Sequence, residues 1–251
     1  MANRLTDQLT NRPTDQPTNR LTDYLCGMDI TVVYEDNHLL AVNKPAGWLV
    51  QGDQTGDRTL TDWARDYIKE KYNKPGDVFL HPAHRLDRPV SGLVVFARTS
   101  KALSRLTVMF RDKHVHKTYL AVALHAPPQK SGELRHFLWK DESKNIVQVI
   151  EKPDRRYGDA KEAVLKFTYE GEGSKGHWIK VNPITGRPHQ IRVQLAAMGC
   201  PILGDVKYGA QTPLPDASIA LHGWQIHFNH PVKNEPMTIE APLPEEDWWV
   251  K

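Results

Sequence analysis

The sequence predicts an α+β fold: a mixed, mainly antiparallel central sheet with flanking helices. Three observations predict it. The chain has 251 residues, enough for one large domain with its own core. Strand-like runs far outnumber helical ones and often follow one another directly, without the regular alternation that builds a parallel sheet. Some of these runs also alternate cleanly in polarity, the period-two pattern of a strand.

Taken in order, the strand runs are Ile30–Tyr34, Leu39–Asn43, Val78–His81, Leu93–Ala97, Thr118–Leu124, Ile146–Ile150, Val164–Tyr169, Trp178–Val181, Ile219–Phe228 and Met237–Glu240. Helices are predicted at Leu60–Tyr72, Ser100–Asp112 and Pro188–Met198. In the second, Ser100 is the expected N-cap, and Ala102, Leu103, Leu106, Met109 and Phe110 form one apolar stripe. The third is bracketed by Pro188 near its start and Gly199 just past its end. Ahead of all these, residues 3–26 are three octads, NRLTDQLT, NRPTDQPT and NRLTDYLC. Two positions recur as leucine and the middle copy fills both with proline, too little burial to offset ordering entropy. Residues 1–27 are therefore expected to be a disordered tail, and 28–251 the folded domain.

Composition excludes several classes. No apolar run approaches a membrane span, and the N-terminus lacks a secretory h-region. A cytoplasmic protein is expected. Two cysteines, Cys26 and Cys200, can make neither a disulfide framework nor a multi-thiolate metal site. The net charge of +3 is unevenly spread: His84 to Lys117 holds eight Lys or Arg against Asp87 and Asp112. A polyanion such as RNA would be drawn to that stretch, although a solvated basic helix face accounts for the charges equally.

Three clusters carry chemistry. In His84-Arg85-Leu86-Asp87-Arg88-Pro89-Val90-Ser91-Gly92, an extended backbone would place Arg85 and Asp87 on one face and a buried Leu86 on the other. In Thr118–Leu124, Leu120, Val122 and Leu124 suit the core, leaving Tyr119 above Ala121 and Ala123 with room for a planar ring. Thr185-Gly186-Arg187-Pro188-His189-Gln190-Ile191-Arg192 gathers two arginines at a helix entrance, where anions are attracted. Each has a plainer alternative: a surface salt bridge, a core tyrosine, a phosphate site without catalysis.

In sequence and order, the three clusters resemble the signature runs of the RluA family of pseudouridine synthases: His-Arg-Leu-Asp then Ser-Gly-Leu, Lys-x-Tyr-x-Ala, and Thr-Gly-Arg-x-His-Gln-Ile-Arg. Asn43-Lys44-Pro45-Ala46-Gly47, Gly204-Asp205, Tyr208-Gly209, Leu221-His222, His230-Pro231 and Ala241–Pro244 extend the resemblance over about 29–247. Val90 stands where the family commonly has threonine, losing a hydroxyl. The resemblance implies a pseudouridine-synthase-type domain that isomerises uridine in ribosomal or transfer RNA. Asp87 would be the nucleophile, Tyr119 the residue stacking on the flipped base, and Arg192 the partner that aims Asp87. Arg85, His84, Lys44, Arg187, His189, Gln190 and Ile191 would contact substrate. No cofactor, metal or obligatory protein partner is implied, and a monomer is expected. Two other readings compete: a catalytically silent RNA-binding or chaperone module on the same fold, and a hydrolase using Ser91 with His84 and Asp87.

Overall fold

The computed structural model describes residues 30–53, 56–151, 153 and 155–251. The octads lie outside the described residues. Eleven strands among the described residues form one sheet: β1 (Thr31–Glu35), β2 (Leu39–Lys44), β3 (His81–Pro82), β4 (Ser91–Ala97), β5 (His116–Ala123), β6 (Ser131–Asp141), β7 (Ile146–Ile150), β8 (Lys161–Gly173), β9 (Gly176–Pro183), β10 (Leu221–Asn229) and β11 (Pro236–Glu240). Their order is β1-β2-β4-β10-β5-β9-β8-β6-β7, with β3 on β4 and β11 on β10. Every pairing is antiparallel except β4 with β10. Mixed and mainly antiparallel is thus what the chain forms.

The parallel pairing is a seam between two half-sheets. It lasts only two register pairs, Ser91 with His222 and Gly92 with Gly223. Beyond it β4 pairs with β2 and β3, while β10 pairs with β5 and β11. Gly92 has φ +120°, and a Cβ there would lie 2.4 Å from the Gly223 backbone. Only glycine allows that approach. Both parts of the site meet at the seam: the loop bearing Asp87 runs into β4, and Tyr119 on β5 is registered against Gly223.

Helix α1 (Leu60–Lys71) starts at a capping box of Thr59 and Asp62. Helix α2 (Ser100–Arg111) packs on β4. Its N-cap is Thr99, not Ser100: the Thr99 side chain accepts from the Ala102 N–H. Helix α3 (Gln190–Ala197) begins two residues later than Pro188 suggested, because His189 takes the left-handed conformation, φ 50°. It packs on β6 and β7. The apolar core continues across the seam, where Leu86, Tyr119, Ala121 and Leu221 belong to one cluster. No described helix is long and apolar enough to cross a membrane.

Two expectations for the sheet need correction. Strand β6 was not foreseen, because its burial alternates only between exposed and half-buried over most of its length. Ala121 and Ala123, expected on an open face, are fully buried.

Candidate active site

The loop between β3 and β4 presents Asp87, and apolar anchors fix it. Leu86 and Val90 are buried on either side, and the Val90 N–H donates to the Asp87 carbonyl at 3.1 Å, closing a tight turn. The Arg88 carbonyl accepts from the Gly47 N–H at 2.8 Å and from Lys44 Nζ at 3.1 Å. Lys44 Nζ also donates to the carbonyls of Pro45 and Trp48, at 3.0 and 2.8 Å. It is 0% exposed. Burial pulls its pKa down to about 7, while three carbonyl oxygens match the three donors of its ammonium form. Lys44, expected at the substrate, therefore has no exposed surface here and ties the turn after β2 to the Asp87 loop. Lys44→Met is expected to cost about 2–3 kcal/mol of stability, because it orphans buried carbonyls. Chemical denaturation checks this, and the RNA affinity of the folded fraction should be unchanged.

Asp87 is 30% exposed at its side chain and is met from beneath by Arg192, which is 6% exposed. Arg192 Nη1 donates to Asp87 Oδ2 at 3.2 Å. The rest of the guanidinium forks onto Asp205, Nε to Oδ2 at 2.7 Å and Nη2 to Oδ1 at 2.8 Å. Burial works against the Arg192 charge, yet Asp205 and then Asp87 raise its pKa above the usual value. The guanidinium also lies 5.0 Å from the centre of the Tyr208 ring. A planar fork held on one edge by a buried carboxylate leaves the Nη1 amino group free on the other side, and one of its N–H groups points at Asp87. The expected local pair of Arg85 with Asp87 does not form. Arg85 is exposed on the rim and makes no ion pair among the described residues.

A cavity of about 480 Å³ opens beside Asp87, with Tyr119 and the Thr185–Arg192 segment in its walls. That volume suits a single nucleotide-sized ligand. The Tyr119 ring is buried against the seam: a Cβ added at Gly223 would sit 3.5 Å from both Tyr119 Cε1 and Leu86 Cδ2. Burial, then the charge of Asp87, push the Tyr119 pKa up, so its hydroxyl stays protonated. The cavity lining contains six cations, Arg85, Arg111, Lys113, Lys117, Arg187 and Arg192, against the single acid Asp87. A second cavity of about 690 Å³ shares Arg85, Leu86, Asp87, His189 and Arg192 with the first. The two make one groove that crosses the carboxylate.

The structure brings Asp87, Tyr119, Arg192, Arg85, Arg187 and His189 together on this groove. His84, Gln190 and Ile191, also expected at the substrate, line the same cavity, with their polar groups or bulk engaged in its wall. Gln190 spends its amide on the wall: Oε1 accepts from Thr185 Oγ1 and the Arg187 N–H, and Nε2 donates to the Val164 carbonyl. Ile191 is core. His84 accepts the Val95 N–H at Nε2 and lies tilted against Phe110, ring centres 5.4 Å apart, and its Nδ1 is buried without a partner. Burial, then Lys117, draws the His84 pKa down to about 3, so it stays neutral in the wall. Ser91 is also buried, hydrogen-bonded to His222 Nδ1 at 2.9 Å, and offers no accessible nucleophile for hydrolysis.

Sequence reasoning assigned no role to Asp205, Tyr208 or Lys117. Asp205 and Tyr208 follow α3 and fold back under it, a contact that no local periodicity encodes. Lys117 lies two residues before Tyr119 on the same strand face, with no ion pair among the described residues.

Comparison with known proteins supplies the class. The family described as RNA pseudouridylate synthase matches residues 38–197. The chain is 33% identical over 218 residues to the dual-specificity RNA pseudouridine synthase RluA of Haemophilus influenzae, covering 84% of this chain and 92% of that one. It is 33% identical over 223 residues to ribosomal large subunit pseudouridine synthase C of Vibrio vulnificus, covering 86% of this chain but 66% of that one. The chain thus spans nearly all of the first relative and just under two thirds of the second. In three dimensions the human RNA Pseudouridylate Synthase Domain Containing 4 superposes with a TM-score of 0.70 at 24% identity, over 85% of this chain and 88% of that one, a likeness of fold. With a carboxylate aimed by a locked arginine on a cationic groove, and with that match across most of its length, the chain belongs to the RluA-type RNA pseudouridylate synthase family.

Proposed function

We propose that the protein isomerises uridine to pseudouridine in structured ribosomal or transfer RNA, with Asp87 as nucleophile. The observation that carries this is the pairing of Arg192 with one Asp87 oxygen at the mouth of a nucleotide-sized cavity walled by Tyr119. The target uridine leaves its stack and enters the cavity, where the carboxylate can reach it. The bond from N1 to C1′ breaks, the base turns, and C5 bonds to C1′. A proton leaves C5 and one is taken up at N1, so nothing is added or lost overall. Asp87 assists by bonding transiently to the sugar or to the base. Arg85 and Arg187 on the rim contact phosphates.

Tyr119 stacks on the base and, as a neutral phenol, passes a proton on as it receives the one from C5. Tyr119→Phe should then slow single-turnover chemistry by about 10²-fold or more while RNA affinity holds. Tyr119→Ala should also weaken binding by about 1–3 kcal/mol, the worth of one stacked base. Equal losses in both variants would leave Tyr119 as a core residue only.

The deciding experiment is release of tritium from RNA labelled at uridine C5, since binding alone frees no label. Ribosomal and transfer RNA tested side by side separate the substrates. We place the enzyme in the cytoplasm with its RNA substrates, and as a monomer, because residues of one chain line the groove.

A further inference from the structure

The donors around Asp87 are not shared between its two oxygens. Arg192 Nη1 lies 3.2 Å from Oδ2, and His189 Nε2 lies 4.0 Å from that same atom. No hydrogen bond among the described residues reaches Oδ1.

The proton on His189 is placed by its other neighbour. Tyr208 Oη accepts the Val147 N–H at 2.9 Å and stands 2.7 Å from His189 Nδ1. Tyr208 is buried, and a phenol has one proton to give. Directing that proton at Nδ1 satisfies every group in the chain. The reverse assignment, with Nδ1–H donating, would leave the phenol proton buried without an acceptor, which folded proteins avoid. Nδ1 is therefore the acceptor, and in the neutral ring Nε2 carries the hydrogen, facing Asp87. Burial favours that neutral ring, as do Arg192 and Lys207, against Asp87 and Asp205.

The backbone is consistent with a functional demand at this residue. His189 is held at φ 50°, ψ 19°, left-handed, at the head of α3, and its side chain caps nothing. A non-glycine residue in that region is strained, and such strain gathers at active sites. The side chain instead faces Tyr208, with the rings crossing at 80°.

We propose that His189 is a catalytic residue of the isomerisation: a neutral donor, its hydrogen fixed on Nε2 by the positioning residue Tyr208, that stabilises Asp87 Oδ2 and leaves Oδ1 as the attacking oxygen. This rests on the reading of Asp87 as nucleophile. As Oδ1 bonds to C1′ the N1–C1′ pair leaves with the uracil, or as it bonds to C6 the C5–C6 π pair moves into the ring, and either way the Oδ1 pair is committed to the ester. When that bond breaks, the pair returns to the carboxylate, and the regained charge spreads to Oδ2, where His189 and Arg192 receive it. No proton leaves His189. A small rotation of either side chain closes 4.0 Å to hydrogen-bond length, as happens when substrate tightens a resting site.

The test has two arms. Nitrogen-15 NMR of the histidine rings in the full chain, with His189 assigned from a His189→Gln sample, should show Nε2 protonated and Nδ1 bare. Tyr208→Phe should move it towards the opposite or a mixed tautomer. In single-turnover tritium release, His189→Ala should lose about 10–100-fold in rate with RNA affinity within about twofold, the loss of one hydrogen bond to a charged group. His189→Gln, whose amide N–H can occupy the Nε2 position, should restore most of the rate. A proton found on Nδ1, or equal rates for the Gln and Ala variants, overturns the proposal while the wild type remains active. A wild-type protein that releases no tritium from any RNA overturns the isomerase reading, and the proposal with it.

Discussion

Asp87→Asn is expected to abolish turnover on RNA while RNA affinity stays within about tenfold, or about 1.4 kcal/mol. The amide keeps the shape of the carboxylate but cannot supply a nucleophilic oxygen of comparable strength. The structure explains why the fold should tolerate the change. Arg192 keeps both of its bonds to Asp205, so no buried charge is orphaned, and Asp87 itself is 30% exposed at its side chain. Leu86 and Val90, which anchor the loop, are untouched. Removing the single acid from a lining of six cations should not repel a polyanion. The measurement pairs tritium release with an RNA titration at fixed salt, because phosphate-driven affinity depends steeply on ionic strength. Multiple turnover by a mass-verified Asp87→Asn preparation would remove Asp87 from the nucleophile's role.

What the sequence disclosed follows from which interactions are local. Strand period two placed Leu86 in the core and Arg85 outside it, and helix period 3.6 located α2. The resemblance pointed to Asp87, Tyr119 and Arg192 in their chain order, and the fold gathers them at one seam. The seam itself was not legible. It depends on Gly92 and Gly223 approaching from strands 131 residues apart, and two glycines among sixteen carry no mark of which pair will touch. The burial of Lys44 was not legible for a related reason. A lysine beside a proline-glycine turn reads as a solvent-facing cation, and only the tertiary fold supplies the three carbonyls that hold it inside. The resemblance put His84 and Gln190 at the substrate, and both do line the cavity, but the hydrogen bonds to backbone that hold them in its wall are tertiary and leave no mark in the sequence. Strand β6 was missed because its half-buried face carries Gly132 and His136 beside Leu134, so an alternation in burial is not an alternation in apolar character.

Arg192→Met should uncouple stability from catalysis when combined with a change at Asp205. Alone, it leaves Asp205, 1% exposed, as a buried carboxylate stripped of both guanidinium bonds. Breaking a buried pair from one side costs about 3–5 kcal/mol, because the surviving charge stays uncompensated. The single variant should therefore unfold at markedly lower denaturant and also lose about 10²-fold or more in single-turnover rate, since Asp87 Oδ2 loses its charged donor. Adding Asp205→Asn removes the orphaned charge, and much of the lost stability should return. Activity should not return with it, because nothing restores a donor at 3.2 Å from Asp87. Asp205→Asn alone should fall between these limits: Arg192 keeps its charge, but its fork is loosened and its free N–H is no longer aimed. If rate recovered in step with stability in the double variant, Arg192 would be a structural residue, and the aiming of Asp87 would have to come from elsewhere. If the double variant were no more stable than Arg192→Met, the Asp205 carboxylate would not carry the energetic weight that its burial and its two short bonds assign to it.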